Sequence, residues 1–157
     1  MKNQRITALI SVMSFLSAGN AQSPDLAALQ SKLTVDCKSI RGHSSRIVAE
    51  ASAAEFNQAV AAAHLEQVAS FHTSMENDLK ATAEVMTAEQ QKRVAGEMKA
   101  LNQICETIGK AIKDLESEFS VSAPKPDSIR RIAVGLKNEM SRGYEIHERL
   151  KKKLGII

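Results

Sequence analysis

Val94, Met98, Leu101, Cys105, Ile108, Ile112, Leu115 and Phe119 follow one another at alternating steps of four and three. That alternation puts all eight on one stripe of an α-helix; a strand would need a period of two. After a short gap the pattern returns in Ile129, Ala133, Leu136, Met140, Gly143, His147, Leu150 and Leu154. A stripe this apolar has to be covered, and two of them joined by a loop cover one another most simply as antiparallel neighbours. The intervening segment, 120–128, carries Pro124 and Pro126, and Asp127 or Ser128 is placed to cap the helix that follows.

Upstream the pattern is again helical. Pro24 and Asp25 open a run in which Leu26, Leu29, Leu33, Cys37 and Ile40 share a face, with Ser23 or Asp25 as the cap. From Arg46 to Met86 there is neither Pro nor Gly, which reads as one long helix or two in line. Its apolar face is Phe56, Val60, Ala63, Val68, Phe71, Met75, Leu79, Ala83 and Met86. Gly42-His43-Ser44-Ser45 is the stronger punctuation between these runs, so the first turn is expected there. The alternative is Ser52-Ala53-Ala54-Glu55, which has capping-box spacing, as has Thr73-Ser74-Met75-Glu76. Aromatic residues are only 3% of the chain, with no Trp, so the core must be built from aliphatic side chains. The expected fold is all-α, an antiparallel bundle of three or four helices forming one domain over 22–157.

The first 21 residues read as a secretory signal. Lys2 and Arg5 precede an apolar run from Ile6 to Ala18, and Gly19-Asn20-Ala21 supplies the small residues of a cleavage site. The run is short for a membrane-spanning helix, so membrane contact is expected to be peripheral at most. The protein is expected in the periplasm or outside the cell. Removing Lys2 and Arg5 from 21 basic and 18 acidic residues leaves 19 against 18, a formal +1. The mature chain's charge therefore gives little reason for a polyanionic partner. The scarcity of aromatics argues against nucleic-acid binding by base stacking.

Signatures of catalysis are missing from the sequence. No Gly-x-Ser-x-Gly or Cys-x-x-Cys-His occurs, and Gly109-Lys110 has Ile104 where a phosphate-binding loop needs its first Gly. No cofactor is expected. His64 and His72 are separated by about 12 Å of helix, too far to share a metal ion. His72 and Glu76, one turn apart, read as a surface hydrogen bond, and His43 as a solvated loop residue. His147 occupies a seam position and reads as a partly buried side chain hydrogen-bonded to a neighbouring helix. Met140 lies on the same helix and cannot oppose it as a second haem ligand.

Cys37 and Cys105 both fall on apolar faces, and two cysteines in an oxidising compartment commonly pair. A turn at Gly42 places them about 30 Å apart along the bundle. Disulfide closure needs Cα atoms within about 7 Å, so two unpaired thiols are expected; a turn near Ser52 would bring them level. Arg149, Lys151, Lys152 and Lys153 form a basic cluster near the C-terminus. It suits the end of a helix dipole, and also contact with lipid head groups, an acidic protein or a polyanion. Asp114, Glu116 and Glu118 would face Arg130 and Arg131 across the last hairpin.

Met86-Thr87-Ala88-Glu89-Gln90 is similar to the Leu-Thr-x-x-Gln signature of the Spy/CpxP-type periplasmic stress chaperones, which are exported and helical. Met86 stands for the Leu, and one copy is present. The resemblance implies an ATP-independent binder of unfolded chains or a metal-stress sensor. The functional expectation is an exported binding protein acting on a protein partner through its helix surfaces, chaperone-like or an adaptor, without catalysis. Alternatives are a structural component of an envelope or secretion assembly, and a small-molecule or haem-binding bundle; self-association is left open. Intact-mass analysis of protein from the native host should find a chain beginning at Gln22. Unprocessed Met1 in the cytoplasm would remove the case for export.

Overall fold

Asp25 starts the first helix by accepting a hydrogen bond from the Ala27 N–H at 3.2 Å. The computed structural model describes residues 25–156, and the expected signal segment lies outside them. Four helices follow: α1 (Leu26–Ala51), α2 (Gln58–Val85), α3 (Ala88–Ser120) and α4 (Pro126–Leu154). Each packs on two others. α1 lies against α2 and α4, and α3 lies against the same two; α1 and α3 face each other diagonally, with no Cα pair within 8 Å. This is an up-down-up-down bundle, with no strand among the described residues.

The expected turn at Gly42 is not there. α1 runs unbroken through Gly42-His43-Ser44-Ser45 to Ala51, and the break falls at 52–57. Ile40 and Ile47 on either side are fully buried and hold the segment to the core. Ser44 and Ser45 turn their hydroxyls back onto the Ile40 and Arg41 carbonyls, at 2.6 and 3.0 Å, and so cap nothing. A mid-helix Gly costs about 1 kcal/mol, less than the roughly 1.5–3 kcal/mol gained by burying one large aliphatic side chain. The run from Arg46 to Met86, expected as one long helix or two in line, is instead divided between the end of α1 and the whole of α2. Ser52 ends α1, its N–H donating to the Ala49 carbonyl while the Ala53 N–H donates to that of Glu50, and Asn57 caps α2 by accepting from the Val60 N–H.

Both seams of the last two helices are present. Val94, Leu101, Cys105, Ile108, Ile112 and Leu115 of α3 are buried, as are Ile129, Ala133, Leu136, Met140, His147 and Leu150 of α4. The first two helices carry the same four-three rhythm in a less legible form. In α1 it runs Leu26, Gln30, Leu33, Cys37, Ile40, Ser44, Ile47, Ala51; in α2, with the following turn, Ala61, Leu65, Val68, His72, Met75, Leu79, Thr82, Met86. Gln30, Ser44, His72 and Thr82 are polar seam residues that an apolar pattern passes over. That is why Val60 and Ala63, expected inside, are exposed, while Ala61 and Leu65 are buried.

Thr87 and Gln90 form a reciprocal cap at the start of α3: Thr87 Oγ1 accepts from the Gln90 N–H, and Gln90 Oε1 from the Thr87 N–H. α4 instead opens with Pro126 in its first turn and no side-chain cap, so neither Asp127 nor Ser128 fills that role. The charges of the last hairpin do not pair across it as expected. Arg130 binds Asp127 on its own helix at 2.9 Å, and Glu118 accepts from the Ser128 hydroxyl. Gly143 keeps α4 close to α3, because an added Cβ would come within 3.3 Å of Ile104 Cγ2.

Gly42 itself separates the two topologies. In mid-helix, with nothing within 4 Å of an added Cβ, Gly42→Ala should raise the free energy of unfolding by about 0.5–1 kcal/mol. Urea denaturation reads this directly; a loss of stability would point to a turn at Gly42.

Candidate functional site

The first candidate region lies within the bundle near the start of α1. Gln30, fully buried, donates from its side-chain nitrogen to Thr82 Oγ1 of α2 at 3.0 Å, and its oxygen lies 2.9 Å from His147 Nε2 of α4. Because an amide oxygen only accepts, His147 carries its proton on Nε2. Its Nδ1 is buried without a partner. Burial, and then the Lys151 charge, push the His147 pKa down to about 4, with Glu148 opposing. His147 is thus neutral at physiological pH, fully inside the protein and bonded to a neighbouring helix.

A second polar pair lies between α1 and α2. Asp36 and Asp78 are both buried, each with an Oδ2 lacking a hydrogen-bond partner. Burial raises the Asp36 pKa; a hydrogen bond to Ser74 lowers it, the Asp78 charge raises it, and Lys32 lowers it.

The relative height of the cysteines is reversed from expectation. With the first turn at 52–57, Cys37 and Cys105 come level, close enough for the charge on one to be felt at the other. Both are buried free thiols, pushed up to about 12 chiefly by desolvation. They sit on diagonal helices with Cα atoms more than 8 Å apart, beyond the range in which a disulfide closes. The separation is across the core, not along it. His72 lies beside Cys105, donating from Nε2 to its carbonyl at 2.8 Å. It is buried, contrary to the expected surface position, and Gly109 makes room for it: an added Cβ would lie 3.2 Å from His72 Cε1.

Sequence spacing did not bring out a contact between His43 and His64. His43, expected in a solvated loop, is half-buried in mid-α1, and its Nδ1 lies 3.1 Å from His64 Nδ1 on α2. Phe71 stacks on the His43 ring with centroids 6.0 Å apart. Burial, then His64, then Arg46 depress the His43 pKa. The two residues lie in different helical runs, and only the position of the first turn makes them neighbours.

The basic cluster is largely committed to internal contacts. Lys151 binds Glu148 at 2.7 Å, and Lys153 binds Glu97 of α3 at 2.8 Å. Arg93 reaches the Lys153 carbonyl, and the Arg149 charge helps, behind Lys153, to hold the Glu97 carboxyl below its usual range. Lys152 makes no ion pair among the described residues. Gly155, at φ 72°, ends the helix behind this cluster.

On the outside, a groove of about 480 Å³ runs between α3 and α4. Ile108, Ile132 and Leu136 floor it, Ala111 and Gly135 widen it, and Lys110, Asp114 and Glu139 rim it. The chain matches no family model, no curated protein and no solved structure.

The His147 position predicts a pH dependence. A histidine with a depressed folded pKa stabilises the fold above its unfolded value near 6.5, and this contribution is lost as pH falls towards 4. The full loss is about 3 kcal/mol. Asp36, raised in the fold, acts in the opposite sense over the acidic range, so the test compares wild type with His147→Gln. The difference in unfolding free energy between pH 7 and pH 4.5 should be smaller in the variant. Identical pH profiles would show that His147 is not held neutral.

Proposed function

We propose that the chain is an exported helical-bundle adaptor, a binding protein that docks a protein partner through its outer helix faces and performs no catalysis. The observation that carries this reading is the α3–α4 groove. Its apolar floor, small residues at the lip and rim charges of both signs suit a helix or extended segment of another protein. The interior offers little alternative: the buried polar side chains Gln30, Thr82 and His147 bond to one another instead of lining an open cavity.

The chaperone-like form of the reading draws less support. It needs a broad exposed apolar face, whereas the apolar stripes are spent on the core. Among the described residues the exposed large hydrophobics are Val35 on α1, Val60 on α2, Val121 just past the end of α3 and Val134 on α4, which do not form one face. The Thr87-Ala88-Glu89-Gln90 segment has a local task in capping α3, which accounts for its residue types without a shared function.

The test is site-specific photo-crosslinking in the native envelope. A photoreactive residue at Asn138, on the groove wall, should give a discrete adduct with a protein partner, and one at exposed Val35 on α1 should not. The double charge reversal Lys110→Glu with Glu139→Lys should abolish the adduct without changing the melting temperature. Equal labelling from both positions, or an adduct indifferent to the reversal, would exclude the groove as the docking face.

A further inference from the structure

We propose that the facing imidazoles of His43 and His64 form a two-histidine site on the α1–α2 face for a borderline divalent transition-metal ion, with Cu(II) preferred over Ni(II) and Zn(II). This pair lies on α1 and α2, away from the α3–α4 groove, and its two Nδ1 atoms are 3.1 Å apart. Two nitrogens each about 2.0–2.1 Å from one ion lie about 2.9 Å apart at a right angle and about 3.4 Å apart at the tetrahedral angle. The observed separation falls between these limits, so an ion can be seated with little movement of either helix.

Without metal, one Nδ1–H must donate to the other Nδ1, since two bare lone pairs at this distance repel. On binding, the donor ring exchanges its Nδ1 proton for one on Nε2 through solvent. Both rings then present Nδ1 lone pairs to the ion and stay neutral. The ligand set remains intact, with no proton lost from the pair.

The surroundings favour this use. Both helices are regular here, and the Phe71 ring against His43 limits its rotation. Both histidines are half-buried, which leaves a path for the ion and room for water in its remaining positions. No group of three or more His, Cys, Asp or Glu suited to a metal exists among the described residues, so the protein contributes two donors. Arg46, one turn along α1, places a positive charge nearby. An ion held by two imidazoles against that charge must bond nitrogen strongly, and Cu(II) leads the divalent series in this respect.

The test uses tag-free mature protein titrated with Cu(II), followed by thermal melting and electron paramagnetic resonance. The expected result is an upward shift in melting temperature that saturates at one ion per chain, with hyperfine coupling to two imidazole nitrogens. His43→Ala and His64→Ala should each weaken binding by more than about tenfold. His64→Gln should do the same; its amide retains a hydrogen-bonding partner for His43 while removing the imidazole ligand, which separates packing from ligation. The metal-free melting temperature of the Gln variant should stay close to wild type. Retention of the Cu(II) response in the double variant His43→Ala with His64→Ala would overturn the proposal, as would a single-nitrogen spectrum. So would the absence of any thermal response to Cu(II), Ni(II) or Zn(II).

Discussion

The side-chain amide of Gln30 holds three helices to one register. A buried amide is costly unless both its ends are satisfied, and here the nitrogen donates to Thr82 of α2 while the oxygen accepts from His147 of α4. Sliding α1 by one helical turn, about 5.4 Å, would break both bonds and leave three buried polar groups unpaired. Apolar seams tolerate such slips far better, because one aliphatic contact substitutes for another. A fully satisfied polar network specifies a single alignment where hydrophobic burial alone specifies only a face.

Other neighbours depend on that alignment. With α1 held against α2, His43 meets His64 and Asp36 lies near Ser74 and Asp78. With α2 held against α3, His72 reaches the Cys105 carbonyl over the space that Gly109 leaves. Cys37 and Cys105 then sit level but diagonal, close enough for Cys105 to help raise the Cys37 pKa and too far apart at Cα to be stapled. The far end is closed differently: Phe56 and Phe119 stack at 6.5 Å, and Gln58 donates to the Phe119 carbonyl. The titratable interior is therefore structural, while the half-buried histidine pair and the α3–α4 groove are open to solvent.

The helical class, the antiparallel pairing of α3 with α4 and the burial of both their seams were legible in the sequence. Their heptads are written in aliphatic residues, and a period near 3.5 admits one physical reading. The first turn was legible only as a choice between Gly42 and Ser52, and the structure places it at the second. Gly42 with two serines resembles punctuation, yet local propensity of about 1 kcal/mol yields to the burial of Ile40 and Ile47. Of the candidate site, the seam position of His147 could be read from spacing, but its partner could not. Gln30 lies at a distant point in the chain and carries no mark that sets it apart from a surface glutamine. The basic residues at 149–153 could likewise be counted but not assigned, since their binding to Glu97 and Glu148 depends on how α4 lies on α3 and on its own preceding turn. The sequence by itself determined which residues form helices and which stripe of the last two must be buried, because periodicity is a property of the local chain. Only the tertiary structure decided which polar residues meet, because hydrogen bonds between helices depend on register, and register is set by all four helices together.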